Sequence, residues 1–269
     1  MQAPIITFLS DYGLEDDFVG VCHGVIAAIC PQARVIDLTH GVRRHDVRQG
    51  ALILAQALFY LPVGVHLAVV DPGVGGDRRA VAVGLADGRR LVGPDNGLLS
   101  LAAARGEGIV EAVDIAASPF CLQPISATFH GRDIFAPVAA ALAAGEPLSA
   151  TGEPIDAARL VTLELREPRT QAGALVAHVR HIDRFGNVQL DGHSEHLAAL
   201  GLEPGSEGEL GLGDGSHHRF RYGRTFTDAA DGELLLYEDS ARQLAVAVNQ
   251  ASAAARLGLA VDDELRIST

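Results

Sequence analysis

Two acids stand directly after apolar, strand-like runs. Asp11 follows Ile5-Ile6-Thr7-Phe8-Leu9-Ser10, and Asp71 follows Val65-His66-Leu67-Ala68-Val69-Val70. Open α/β sheets bind ligands in the crevice beyond the carboxyl ends of their strands, so both acids fall where a site is expected. Asp11, with Gly13 two residues on, suits bidentate acceptance from a ribose diol. It opens the run Asp11-Tyr12-Gly13-Leu14-Glu15-Asp16-Asp17, with four carboxylates in seven residues. Asp16 and Asp17 serve equally well as simple caps for the helix that follows.

Asp71-Pro72-Gly73-Val74-Gly75-Gly76-Asp77-Arg78-Arg79 is a glycine-rich loop whose backbone can approach a ligand closely. It matches neither G-x-x-x-x-G-K-[ST] nor G-x-G-x-x-G, and a structural turn with an Asp–Arg surface pair would read the same way. His130, in Thr128-Phe129-His130-Gly131-Arg132-Asp133, precedes a helical pattern. A strand-end Asp, a nearby Arg and a loop His supply acid–base and orienting groups, and no G-x-S-x-G elbow offers a serine nucleophile. The pairs His178/His181, His193/His196 and His217/His218 read as structural or surface features.

These residues need a scaffold, and the first 145 or so residues supply one by alternating strand-like and helical patterns. Strands are expected at Ile5 to Leu9, Val35 to Leu38 and Val65 to Val70, and helices at Asp16 to Ile29 and Asp46 to Tyr60. Asp87-Gly88 marks a hairpin between Ala80–Leu85 and Arg90–Val92. Helical spacing returns at Gly97 to Ala104 and Asp133 to Ala144. Pro, Glu and Arg gather between about Ser149 and Gln171, where a domain boundary fits. Beyond it, short apolar runs at 174–180, 187–190, 209–212, 219–222, 233–237 and 244–248 suggest antiparallel strands, with one helix near Asn249 to Leu257. The expected architecture is α/β. Residues 1–168 form an N-terminal domain with a mainly parallel sheet flanked by helices, and residues 169–269 a smaller C-terminal antiparallel β domain.

Composition narrows the chemistry. At 269 residues and 48% apolar content the chain can bury a sizeable core. A formal charge of −13 makes it a poor partner for phosphate backbones or anionic lipid, so neither nucleic acid nor membrane is an expected partner. All 21 basic residues are Arg, which excludes a Walker-A lysine, a Schiff-base aldolase and a pyridoxal enzyme. Cys22, Cys30 and Cys121 form no C-x-x-C pair, which argues against a disulfide framework or structural zinc site and fits a reducing cytoplasm. Met1-Gln2-Ala3-Pro4 lacks the basic and apolar regions of a signal peptide. The apolar stretch from Ala51 to Val70 is broken by Gln56, Pro62 and His66, so it reads as helix, turn and strand.

Ser10-Asp11-Tyr12-Gly13 with Asp16-Asp17, Val70-Asp71-Pro72-Gly73-Val74-Gly75 with Arg78, Pro94-Asp95-Asn96-Gly97-Leu98-Leu99, Phe129-His130-Gly131-Arg132-Asp133 and Phe185-Gly186-Asn187 together carry a resemblance. From about Ile5 to Ile267 the chain resembles the S-adenosyl-L-methionine (SAM) hydroxide adenosyltransferases, adenosine-forming SAM hydrolases related to fluorinases and chlorinases. The resemblance implies a homotrimer with SAM bound between subunits, and a catalytic set of Asp71, Arg78 and His130. The halogenating relatives lack the acid matching Asp71 and the histidine matching His130, and fluorinases carry a long inserted loop absent here. It also implies that Asp11 holds the ribose hydroxyls and that Asp16, Asp183 and Ser240 contact methionine. Asn187 and the Val248 backbone would meet the adenine edge, with Phe185 and Phe226 as walls. His45 and Ala241 depart from the halogenases, which have Trp and Arg there.

The implied reaction is displacement at ribose C5′ by water or hydroxide, giving adenosine and methionine. SAM is the substrate, and no cofactor or metal is expected because the sulfonium already activates the carbon. Two other readings stay open on the residues alone. The acids of Asp11–Asp17 suit a calcium-dependent nucleoside N-glycosidase, and the same crevice suits a non-catalytic adenosine-binding protein.

Overall fold

Alternation of side chains along each strand splits the apolar residues of the N-terminal sheet between two helical layers. In the computed structural model, which describes residues 3–269, the strands of this sheet are β1 (Ile5–Ser10), β2 (Arg34–Thr39), β3 (Val65–Val69), β4 (Ala80–Leu85), β5 (Arg90–Pro94), β6 (Ile109–Asp114) and β7 (Glu153–Pro154). Met1 and Gln2, the start of the N-terminal reading, lie outside the described residues. Ile6, Phe8, Leu67 and Val69 pack toward helices α1 (Phe18–Ile29) and α4 (Ala136–Ala144). Leu9, Ala68, Val81 and Val83 face α2 (Val47–Ala57) and α3 (Ser100–Arg105) on the other side.

The strand order is β2-β1-β3-β5-β4-β6-β7. Pairings are parallel from β2 through β5 and antiparallel from β5 to β7, with β4 and β5 forming the hairpin that Asp87-Gly88 signals. The chain leaves β1 for β2 through α1 and returns to β3 on the opposite side of β1 through α2. The carboxyl ends of β1 and β3 are therefore a topological switch point, where a crevice opens between connections of opposite face. Residues Ser10 and Val69 are direct neighbours there.

Local chemistry sets the helix ends. The Asp46 side chain accepts from Gln49 N at 2.8 Å to start α2, so the helix expected from Asp46 begins one residue later. Helix α4 has Pro137 in its first turn and stops at left-handed Gly145. Asp17 occupies the N-cap position of α1 without a side-chain capping bond.

The chain divides into two units at Leu163/Glu164, inside the Pro-, Glu- and Arg-rich stretch and ahead of the expected 168/169. The second unit contains β8 (Arg169–Gln171), β9 (Ala174–Ile182), β10 (Val188–Leu190), β11 (Glu207–Leu212), β12 (His217–Tyr222), β13 (Leu234–Glu238), β14 (Leu244–Val248) and β15 (Glu264–Ser268). The order β10-β14-β13-β12-β11-β15-β9 closes through β9–β10 pairing into a seven-stranded barrel, and β8 adds to β9. Leu175, Val188, Leu210, Leu236, Val246 and Leu265 fill its interior. Two short helices, α5 (Ser194–Ala199) and α6 (Ala253–Leu257), complete it.

Some elements differ from the sequence expectation. β12 and β13 run parallel, against an antiparallel domain, because the 223–233 connection crosses over instead of turning back. β6 and β15 were not expected: in β15, exposed Glu264 and Arg266 alternate with buried Leu265 and Ile267, which hides the apolar run. Helix α5 replaces the loop read around His193, and its end is closed by His193 and His196. No described helix is long and apolar enough to cross a membrane; Ala51 to Val70 resolves into the rest of α2, a turn and β3.

Candidate active site

Asp11 and Asp71 emerge from adjacent strand ends at the switch point, and a cleft of about 280 Å³ opens beside them. Its lining includes Asp11, Asp16, Asp71, His45 and His130. Asp71 and Arg78 form a bidentate pair: Arg78 Nε donates to Asp71 Oδ1 at 2.8 Å, and Nη2 to Oδ2 at 2.5 Å. The same Nη2 lies 2.7 Å from His130 Nδ1. The paired side chains are only 6% and 11% exposed, so the pairing is shielded from water.

Loop packing brings His130 to the Asp71–Arg78 pair, 52 residues beyond Arg78 in the sequence. Gly75 has φ +76°, and a Cβ there would sit 2.3 Å from the Ala127 carbonyl oxygen, so only glycine lets the Asp71 loop lie against the His130 segment. Buried Asp133 shapes that segment by accepting from Ser126 N at 2.8 Å and pairing with Arg132. A π-helical turn, Gly131–Phe135, follows His130, and the Phe135 ring lies 5.3 Å from the Arg78 guanidinium carbon. Asn96 Nδ2 donates to Val70 O at 2.9 Å, fixing the residue before Asp71.

Arginine is a donor only, so His130 Nδ1 must accept, and the ring proton sits on Nε2. Burial lowers the His130 pKa first, and the Arg78 charge lowers it further, so the neutral imidazole is favoured. The trio thus presents a carboxylate, a guanidinium and a neutral imidazole whose remaining N–H also faces the Ser126 backbone carbonyl.

Asp11 Oδ2 accepts from His45 N at 2.9 Å. His45 has φ +64°, a costly conformation for a non-glycine residue, and it aims this N–H at the carboxylate. Asp16 is exposed at the cleft rim. The acids of Asp11–Asp17 do not gather as a ligand set among the described residues: Asp11 is used by His45, and Glu15 Oε2 accepts from Leu14 N at 3.1 Å. That geometry disfavours the calcium loop.

Tyr12, Phe18, Arg44, Val74 and Thr128 also line the cleft, and sequence reading did not assign them to it. Arg44 lies in the irregular segment between β2 and α2, beside His45. Rings of Tyr12, Phe18 and Phe129 pack with centroids 5.1 to 5.9 Å apart. Burial raises the Tyr12 pKa well above its ordinary value, keeping the phenol neutral. A cavity of about 310 Å³ elsewhere in this unit is lined mainly by Val81, Val83, Leu99 and Ile109. Its acid, Asp95, is already bonded to Arg79 and Val161 N.

The remaining candidates lie in the second unit. Asp183 organises the β9–β10 turn: Oδ1 accepts from Phe185 N at 2.8 Å and Asn187 N at 2.9 Å, and Oδ2 from Asn187 Nδ2 at 2.8 Å. This orients Asn187 and leaves its carbonyl oxygen pointing away from that bond. Phe185 is 70% exposed, and Phe226 packs on Tyr237 with centroids 5.2 Å apart. Val188 pairs with Val246, which sets the Asn187 turn near the Val248 end of β14. Ser240 lies in the β13–β14 turn, beyond the other end, where Glu238 pairs with Leu244. The two ends of this five-residue strand are separated by roughly 13 Å. His178 is a structural residue, its Nδ1 2.8 Å from buried Asp191, and His217 pairs with Glu209 at the surface.

Residues 6–152 match the SAM hydroxide adenosyltransferase N-terminal domain, and residues 177–266 its C-terminal domain. An (R)-S-adenosyl-L-methionine hydrolase of Salinispora tropica is 48% identical, covering 98% of each chain. Another, from Salinispora arenicola, is 46% identical over 99% of this chain and 98% of its own. The crystal structure of an uncharacterized conserved protein from Thermotoga maritima superposes with a TM-score of 0.91 at 34% identity, over 98% of this chain and all of that one.

Proposed function

The chain belongs to the SAM hydroxide adenosyltransferase family, and from that premise we infer that it hydrolyses SAM to adenosine and L-methionine. The observation that carries the mechanism is the Asp71–Arg78–His130 trio hydrogen-bonded at the mouth of the switch-point cleft.

In this reading one water sits between Asp71 and His130. His130 Nε2–H, shared with the Ser126 backbone carbonyl, donates to the water oxygen and fixes its position. Nδ1 is held by Arg78, so the imidazole is a donor here and Asp71 is the proton acceptor; each of its oxygens keeps a lone pair beyond the Arg78 bonds. The oxygen attacks C5′ in line, the C5′–O bond forms, and the C5′–S pair leaves with methionine as a neutral thioether. The water proton passes to Asp71 and then to solvent. Around the cleft, Asp11, Asp16 and Asp71 against Arg44 and Arg78 leave an excess of one negative charge, which suits a cationic sulfonium. Charge is cancelled as the anionic oxygen meets the sulfonium, so a shielded site favours the transition state over the separated ions.

Asp11, oriented by His45 N, holds the ribose diol, and Asp16 at the rim contacts the methionine portion. Asn187 and the Val248 backbone meet the adenine edge, Phe185 and Phe226 wall the base, and Asp183 and Ser240 contact methionine. Because Asp183 is spent largely on the turn, its main effect is to orient Asn187. A homotrimer with SAM between subunits and a cytoplasmic location complete the proposal, and sedimentation analysis of the purified protein tests the former.

Incubating the protein with SAM in ¹⁸O-water and weighing the products tests the reaction. Adenosine carrying the label in its 5′-hydroxyl is expected. Free adenine would instead establish N-glycoside cleavage, and tight adenosine binding without SAM consumption would establish a non-catalytic binder.

A further inference from the structure

Away from the cleft, His23, Asp37 and His40 converge on one point. His23 projects from α1, Asp37 lies in β2, and His40 follows that strand. His23 Nε2 is 2.8 Å and His40 Nε2 3.1 Å from the same carboxylate oxygen, Asp37 Oδ1. One ligand-type atom from each residue lies within 4.8 Å of the others.

His40 is the informative member. Its side chain is only 3% exposed, and its Nδ1 is 2.7 Å from Ser10 Oγ, itself fully buried. This contact orients the ring and directs Nε2 at the cluster. Nε2 is buried, and its 3.1 Å contact with Asp37 Oδ1 falls short of good hydrogen-bond geometry, so a desolvated nitrogen is held against a carboxylate that it bonds only weakly. A polar atom left in that condition is costly. A metal ion on Nε2 removes the cost, and orientation of a ligating imidazole through its other nitrogen is a recurrent feature of metal sites.

We propose that His23, Asp37 and His40 form a binding site for a divalent zinc-class cation, distinct from the Asp71–Arg78–His130 trio. Two imidazole nitrogens and a carboxylate are the donor set of three-ligand zinc centres, with water in the fourth position. Bonds of 2.0–2.1 Å in a tetrahedral arrangement separate neighbouring ligand atoms by about 3.3 Å. The nitrogen–oxygen distances of 2.8 and 3.1 Å need to open by tenths of an ångström, and the two nitrogens, which lie within 4.8 Å of one another, need to settle at the same spacing. Asp37 and His23 are 43% and 35% exposed, which provides an entry path and room for the water.

The site would act as a clip. It joins α1 to β2, and through His40 it reaches the segment carrying Asp11: Gly13 N donates to His40 O at 2.8 Å, and Tyr12 N to Ser10 Oγ at 3.3 Å. Cation binding therefore braces this end of β1 without supplying a group to the reaction.

The test uses the untagged, full-length protein, stripped with chelator and titrated with Zn²⁺ by calorimetry. His23→Gln and Asp37→Asn, both at partly exposed positions, are compared after circular dichroism confirms their fold. The expected result is one Zn²⁺ per chain, an affinity at least tenfold weaker in either variant, and a Zn²⁺-dependent rise in melting temperature confined to the parent protein. X-ray absorption of the loaded protein should show two imidazole ligands. Absence of stoichiometric binding, or binding unchanged by both substitutions, overturns the proposal, as does a variant that keeps the full thermal shift. These readouts do not involve SAM turnover, so they are independent of the hydrolase reading.

Discussion

Arg78 Nη2 donates to His130 Nδ1 at 2.7 Å while the same guanidinium grips both oxygens of Asp71. One planar group therefore sets the tautomer of the imidazole and the plane of the carboxylate together. An ammonium cannot reproduce this fork, even though it preserves the charge.

Arg78→Lys should accordingly lower kcat by about 10²-fold, the equivalent of one or two charge-assisted hydrogen bonds, with KM for SAM changed only a few-fold. Adenosine release under saturating SAM measures it. A Lys variant with parental kcat would remove the positioning role.

The acidic limb of kcat/KM should fall below pH 6.5, the ordinary value for histidine. Burial and then the Arg78 charge lower the His130 pKa, so the neutral Nε2–H donor survives into more acidic solution before a second proton displaces the Arg78 bond. A pH–rate profile checks this, and a limb at or above 6.5 assigned to His130 by NMR titration contradicts it.

Gly131→Ala should disturb the cleft. A Cβ there would lie 2.1 Å from the Tyr12 hydroxyl, within a packed aromatic cluster. The substitution should cost about 1–3 kcal/mol of stability and reduce kcat/KM as Tyr12 is displaced. Gly20→Ala, on α1 with open space around it, is the control and should stabilise by about 0.5–1 kcal/mol. Urea unfolding of both variants, together with turnover, separates the effects; equal behaviour of the two would refute the steric argument.

His66 makes stability fall with acid. It is fully buried beside Thr7, and burial, followed by the Arg89 charge, depresses its pKa to about 4. The unfolded chain takes up this proton near pH 6.5 and the folded chain only near 4, so stability is lost as pH drops through that window. The loss attributable to this residue is about 3 kcal/mol. Urea titrations of parent and His66→Gln between pH 7 and 4 should show a shallower decline in the variant, and parallel curves would rule His66 out.

Much of the scaffold was legible because periodicity reports which face of a segment is buried. β1, α1, α2, β3 and the β4–β5 hairpin all carry clear period-2 or helical patterns, and they alone place Asp11 and Asp71 at strand ends. β15 escaped because charged residues occupy its outer face, and the parallel β12–β13 pairing escaped because register between distant strands leaves no local trace. The lining residues Arg44 and Thr128 sit in irregular loops, where no period exists to read.

By itself, then, the sequence determined the α/β and β division, the absence of any lysine chemistry, and the residue types Asp11, Asp71, Arg78 and His130 available for a reaction at a nucleoside. Only the tertiary structure decided which atom of His130 carries its proton, that Asp183 serves its own turn, and that His23, Asp37 and His40 meet. The physical reason is one of range. Burial patterns are written within a few residues, whereas hydrogen-bond direction depends on ångström-scale positions that are fixed only when segments 30 to 50 residues apart pack together.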